Sequence, residues 1–160
     1  CYFGVNRVHD LRCSHTTNGV CMSIELVPLG TFTINLKDPM MVPDGAMGTR
    51  LIVELDSGTI VGDRLNGEIH GTAGADWLTL GPGGSNGTLD VRLTIKADNG
   101  ALIYMEYGGK IDLASSTVIA TPMFQCGDAD YAWLNNVQAI AEGHMADNVL
   151  VYELFEVTVV

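Results

Sequence analysis

From Leu89 to Ala97 apolar and polar residues alternate without interruption, and after Asp98-Asn99-Gly100 the alternation resumes as far as Tyr107. A period of two is the mark of strands with one buried face. A three-residue connection with glycine last fits a type I turn followed by a G1 bulge. Pairing Ala97 with Ala101 then sets Val91, Leu93 and Ile95 beside Ile103, Met105 and Tyr107 on one apolar face. The other face carries Asp90, Arg92, Thr94 and Lys96 beside Tyr104 and Glu106, with Arg92 directly across from Glu106 as a cross-strand ion pair. Periodicity leaves open whether this polar face looks into a cavity, where Arg92, Tyr104 and Glu106 would touch a ligand, or out to water.

Elsewhere, short β-branched and aromatic runs separated by glycine-rich clusters predict strands near 24–35, 49–55, 59–69, 76–80, 89–97, 101–107, 118–125, 131–142 and 148–158. Turns are predicted at Asp56-Ser57-Gly58 and Gly81-Pro82-Gly83-Gly84. About nine strands with little helix to cover them imply an all-β protein, a single antiparallel closed β-barrel. Closure removes the edges an open sheet would expose, and a barrel of this size holds a small ligand.

Composition narrows the class. The 160 residues are 47% hydrophobic and 17% charged, enough to bury a core. Nineteen acidic against eight basic residues give a net charge of -11, which repels nucleic acid and anionic lipid. No apolar run approaches the roughly 18 residues of a membrane span. Residues 1–21 lack either periodicity and hold Cys1, Cys13 and Cys21, so they are expected to be an extension outside the domain, a read-through or a tail. The patterned barrel domain is expected over 22–160, with Met22 as its start. A zinc reading of Cys13, His15 and Cys21 fails on ligand spacing. Cys126 has no cysteine partner in the patterned region, which fits reduced thiols and a cytoplasmic protein.

Candidate chemistry is sparse. Gly83-Gly84-Ser85-Asn86-Gly87 matches a nucleophile elbow, but a strand follows where that motif needs a helix. His70 and His144 lack the spacing of metal ligands, so no metal is expected. Asp76 stands against Trp77 at the start of a strand, where desolvation would raise the carboxyl pKa and a nearby arginine would lower it; capping of turn amides is the plainer alternative. Arg50 and Arg92 are the cations best placed to pair with acids or with a substrate anion. In an extended segment Tyr131, Trp133 and Asn135 share a face, offering two aromatic walls and an amide to a flat ligand, although core packing explains the aromatics equally well.

Several segments in series carry a resemblance: Gly48-Thr49-Arg50, Gly62-Asp63-Arg64-Leu65-Asn66-Gly67, Gly74-Ala75-Asp76-Trp77, Leu89-Asp90-Val91-Arg92-Leu93, Asp98-Asn99-Gly100-Ala101-Leu102-Ile103-Tyr104, Thr121-Pro122-Met123-Phe124 and Tyr131-Ala132-Trp133-Leu134-Asn135. In order and spacing the chain resembles the DUF3237 family, also known as UPF0311, over residues 22–160. It departs from the family pattern in its loops and at Pro39-Met40-Met41. The resemblance implies a small antiparallel barrel of lipocalin-like form that associates with itself, a dimer being favoured, and no settled activity. It carries over onto Asp76, Trp77, Arg50, Tyr131, Trp133 and Asn135.

The expectation is therefore an acid/base enzyme without a cofactor, an isomerase, cyclase or lyase acting on a small, partly apolar metabolite. Asp76 and Arg50 would be catalytic, and Trp77, Arg92, Tyr104, Glu106, Tyr131, Trp133 and Asn135 would bind the ligand. The rival readings are a binding protein that only orients the same ligand, and an oligomeric interaction module with no pocket.

Overall fold

Alternation of apolar and polar residues is realised as strands almost everywhere in the described part of the chain. The structure, a computed structural model, describes residues 23–160. The expected extension, with Cys13, His15 and Cys21, lies outside the described residues. The chain folds into one antiparallel sheet of ten strands: β1 (Ile24–Leu36), β2 (Met40–Gly45), β3 (Gly48–Val61), β4 (Gly67–Ile69), β5 (Ala75–Leu80), β6 (Asn86–Ala97), β7 (Leu102–Asp112), β8 (Thr117–Gln125), β9 (Ala139–Ala146) and β10 (Val149–Val159). Their order is β1-β10-β9-β8-β7-β6-β4-β3-β2, with β5 also between β3 and β6. β1 pairs with β10 from Ile24 to Asn35 and with β3 from Thr31 to Leu36.

The β6–β7 hairpin has the register read from its turn. The Ala97 N–H donates to the Ala101 carbonyl (2.9 Å), the Gly100 N–H donates to that of Ala97 (2.8 Å), and Gly100 sits at φ +91°. Val91 faces Tyr107, Leu93 faces Met105 and Ile95 faces Ile103, and all six are buried. With Phe32, Ile34, Ile60, Leu134 and Leu154 they form one apolar core. Each large side chain fully withdrawn from water contributes about 1.5–3 kcal/mol. The polar face of the hairpin looks outward. Arg92 and Glu106 are cross-strand neighbours, but the expected ion pair is not made. Arg92 pairs with Asp90 (3.0 Å) and lies over Trp77 of β5, 5.7 Å from the ring centre, while Glu106 accepts the Tyr104 O–H (2.8 Å).

Four expectations about the strands are corrected. There are ten strands, because Met40–Gly45 pairs with β3; its residues are all exposed, and Pro43 is tolerated in the register shift between Val42 and Gly45. Asp56-Ser57-Gly58 is no turn but the middle of β3, where the register against β1 shifts between Asn35 and Leu36. Gly58 serves close approach instead: a Cβ there would stand 2.7 Å from the Thr33 carbonyl oxygen. The run 59–69 breaks at Val61, and Asn66 holds the intervening loop by accepting the Gly62 N–H (3.1 Å) and donating to the Gly62 carbonyl (2.7 Å). The run 131–142 opens as a 3₁₀ helix, Ala132–Asn136, because Asp128 anchors the preceding turn and Leu134 is drawn into the core.

Candidate functional site

On the inner surface of the sheet, β3, β5, β6 and β7 leave a cavity of about 140 Å³. Its walls are aliphatic: Leu51, Val53, Leu55, Leu78, Leu89 and Val91 among them. It opens past Lys37, Pro39 and Asn148, all exposed. Asp76 lies in this wall because β5 alternates, placing Asp76 with Leu78 inside and Trp77 with Thr79 outside.

Burial pushes the Asp76 carboxyl from 3.8 up to about 6; the hydrogen bond from the Asp90 backbone opposes this rise and the Asp90 charge adds to it. That bond fills a gap in the sheet. The β5–β6 ladder registers Asp76 with Val91 and Thr79 with Thr88 but not the residues between. Two of the groups left free there are taken by side chains: Asp76 Oδ1 accepts the Asp90 N–H (3.0 Å), and Arg50 Nη1 donates to the Trp77 carbonyl (2.9 Å). Arg50 thus reaches the same break in the ladder as Asp76, but from the outer face and through the backbone.

Two tyrosines complete the interior. Tyr107, in the cavity wall, meets Tyr152 edge to face, with ring centres 5.8 Å apart and planes at 80°. Burial raises both phenols, Tyr107 well above 10.0 and Tyr152 beyond it, and the Asp76 charge acts on each in the same direction. The Tyr152 side chain is 1% exposed, yet its hydroxyl completes no hydrogen bond. A buried hydroxyl without a partner costs about 1–3 kcal/mol. Tyr152→Phe is therefore expected to leave stability unchanged or raised by about 1 kcal/mol in chemical denaturation; a loss above that figure would show that the hydroxyl is satisfied in the folded protein.

The expected gathering of site residues is only partly found. Asp76 lines the cavity; Arg50, Trp77, Arg92, Tyr104 and Glu106 belong to the outer face, and Tyr131, Trp133 and Asn135 lie outside the cavity wall. The shared face of Tyr131, Trp133 and Asn135 required an extended segment, and the 3₁₀ helix removes it. Trp133 carries the Arg64 guanidinium 3.9 Å from its ring centre, and Arg64 bonds Glu156 (2.7 Å). Asn135 accepts the Cys126 N–H (2.9 Å) and donates to the Cys126 carbonyl (2.8 Å), pinning the helix to the end of β8. Asn135→Ala is expected to cost about 2 kcal/mol, from three lost hydrogen bonds to backbone, the third donated to the Ala132 carbonyl (3.0 Å), with no change in ligand binding at the cavity; unchanged stability by denaturation would contradict that role. Among the residues lining the cavity, Tyr107 stands outside the expected site residues; its period-two spacing with Ile103 and Met105 marks it for the inner face. Among the described residues no group of three His, Cys, Asp or Glu side chains gathers as metal ligands would, and no helix is long and apolar enough to cross a membrane.

Fold and site together define an antiparallel β protein, barrel-like in its relatives, with one carboxyl set into an apolar cavity. The chain belongs to the DUF3237 family of proteins of unknown function, whose pattern matches residues 24–120. Among solved structures it is similar to a beta-barrel like protein from Acinetobacter baumannii, at 25% identity and TM-score 0.76 over 85% of this chain and 97% of that one. It is similar also to a conserved protein of unknown function from Rhodopseudomonas palustris, at 20% identity and TM-score 0.78 over 85% and 99%. A third is an enzyme from Penicillium herquei, at 21% identity and TM-score 0.62 over 89% and 100%. No curated protein matches the sequence.

Proposed function

We propose that this protein is a closed β-barrel that binds a compact, largely apolar metabolite in its cavity and moves a proton on it without a cofactor, with Asp76 as the acid or base. The double pairing of β1, with β10 on one edge and β3 on the other, supports closure of the ring. The observation that carries the chemistry is Asp76 itself, a single carboxyl in an aliphatic wall with its pKa near 6. Such a group is mostly ionised at neutral pH and is a stronger base than an ordinary carboxylate, the condition under which general acid–base catalysis works best. Arg50 is a positioning residue in this reading, since it bonds the Trp77 carbonyl beside Asp76 and does not line the cavity. The similarity to an enzyme from Penicillium herquei agrees with catalysis without specifying it.

The test is deuterium uptake from D₂O into a panel of small apolar carbon acids, followed by NMR. Uptake is expected with the intact protein and its loss with Asp76→Asn. Saturable binding without uptake across the panel would replace the enzyme reading with that of a binding protein, and uptake undiminished in Asp76→Asn would remove Asp76 from the chemistry.

A further inference from the structure

The cavity holds about 140 Å³, and an aliphatic cavity of about 150 Å³ accepts benzene, so its occupant is a single small ring or its equivalent. Its lining carries one carboxyl, that of Asp76. Oδ1 accepts the Asp90 N–H (3.0 Å), and Oδ2 has no partner among the described residues. Oδ2 is not sealed in: among the described residues only the Tyr152 hydroxyl is both shut off from contact and unpartnered, so this carboxylate oxygen stays open. The carboxylate also lacks a counter-ion. The ion pairs among the described residues are Lys37–Glu54, Arg64–Glu156 and Arg92–Asp90, and Arg50 bonds the Trp77 carbonyl from the outer face. Lys37, the cation in the cavity lining, is matched by Glu54 at 2.9 Å. An ionised carboxyl in an aliphatic wall gains from a cation brought to it, and a net charge of -11 draws cations toward the surface.

The wall also limits how many hydrogens that cation can carry. Asp76 Oδ2 is an open acceptor, and Leu78, Leu89 and Val91 around it offer none. A primary ammonium brings three N–H donors and would leave two of them desolvated without an acceptor. A tertiary ammonium brings one N–H and encloses its charge in carbon. We propose that the cavity binds a compact tertiary ammonium ion, with its single N–H donated to Asp76 Oδ2 and its carbons against the aliphatic walls. The proposal rests on the cavity reading above for its site and is independent of proton transfer to carbon. A bound amine occupies the oxygen that would otherwise take a proton from a carbon acid.

The test uses N-methylpyrrolidine, protonated at pH 8, beside methylcyclopentane and cyclopentylamine, which match it in size but carry no N–H and three N–H donors. By calorimetric titration the intact protein is expected to bind N-methylpyrrolidine about tenfold or more tightly than either. Asp76→Asn is expected to remove that preference and to leave methylcyclopentane binding unchanged. Asparagine keeps an oxygen for the Asp90 N–H, so the variant is expected to fold, with near-UV circular dichroism as the check. Nuclear Overhauser contacts from the bound N-methyl protons to the Val91 methyl groups are expected, since Val91 lines the cavity. Equal binding of N-methylpyrrolidine and methylcyclopentane, equal or tighter binding of cyclopentylamine, or amine binding undiminished in Asp76→Asn would overturn the ammonium site. If methylcyclopentane still binds, the cavity reading survives that result; binding of none of the three removes both. An amine preference without deuterium uptake into carbon acids leaves the ammonium site in place and removes the catalytic reading. Uptake without the preference does the reverse.

Discussion

Asp76→Asn is expected to stabilise the protein by up to about 3 kcal/mol at pH 8, to leave it nearly unchanged at pH 4, and to abolish deuterium uptake. The sign follows from which state holds the proton more tightly. Burial raises the folded carboxyl from 3.8 to about 6, so between those values the native state binds a proton that the unfolded chain has released. Protonation therefore contributes stability that is complete below pH about 3.8 and is lost as the pH rises through about 6. Above that, the native state carries an ionised carboxyl in an aliphatic wall. Asparagine reproduces the neutral form at every pH and keeps an oxygen to accept the Asp90 N–H. Denaturation of both proteins at the two pH values measures the difference; an Asn variant no more stable than the parent at pH 8 would contradict the burial. Gain of stability together with loss of chemistry is what a group held at a cost for function should show.

The second large effect is expected at Gly143. It faces Tyr152 across β9 and β10, and the tyrosine ring lies directly over it. A Cβ at this position would stand 2.6 Å from Tyr152 Cδ1 and 3.2 Å from Val118 Cβ. The ring cannot step aside, because Tyr152 is fully buried and packed against Tyr107. Gly143→Val is expected to cost about 3 kcal/mol or more. Strand propensity favours valine over glycine by up to about 1 kcal/mol, so a measured loss is steric. A midpoint of denaturation equal to the parent's would show that the ring moves freely.

How much was legible in the sequence depended on whether a period of two was visible. The β6–β7 hairpin was read to the residue because its turn length fixes which side chains share a face, and Val91, Leu93, Ile95, Ile103, Met105 and Tyr107 lie where that rule puts them. β2 was missed because Met40–Gly45 is wholly exposed and carries Pro43 and Asp44, so no buried face marks it. At 131–136 the aromatics suggested an extended ligand face; the 3₁₀ turn needs only Asp128 and a buried Leu134, which leave a weak trace.

The site was legible in part. Asp76 was singled out, but for its neighbour Trp77, which the strand's alternation sends to the other side of the sheet. Its desolvation comes instead from aliphatic residues brought by β3 and β6, a tertiary fact that no local pattern contains. Arg50 was singled out as an anion partner. Its placement beside Asp76 comes from the break in the β5–β6 ladder, where it bonds the backbone instead.

The account turns on a carboxyl that titrates near neutrality inside an apolar cavity. Carbon-13 NMR of the aspartate carboxyl groups, with the Asp76 resonance assigned by its absence in Asp76→Asn, measures this directly. A midpoint at about 6 is the predicted result, and a midpoint near 3.8 would contradict the account.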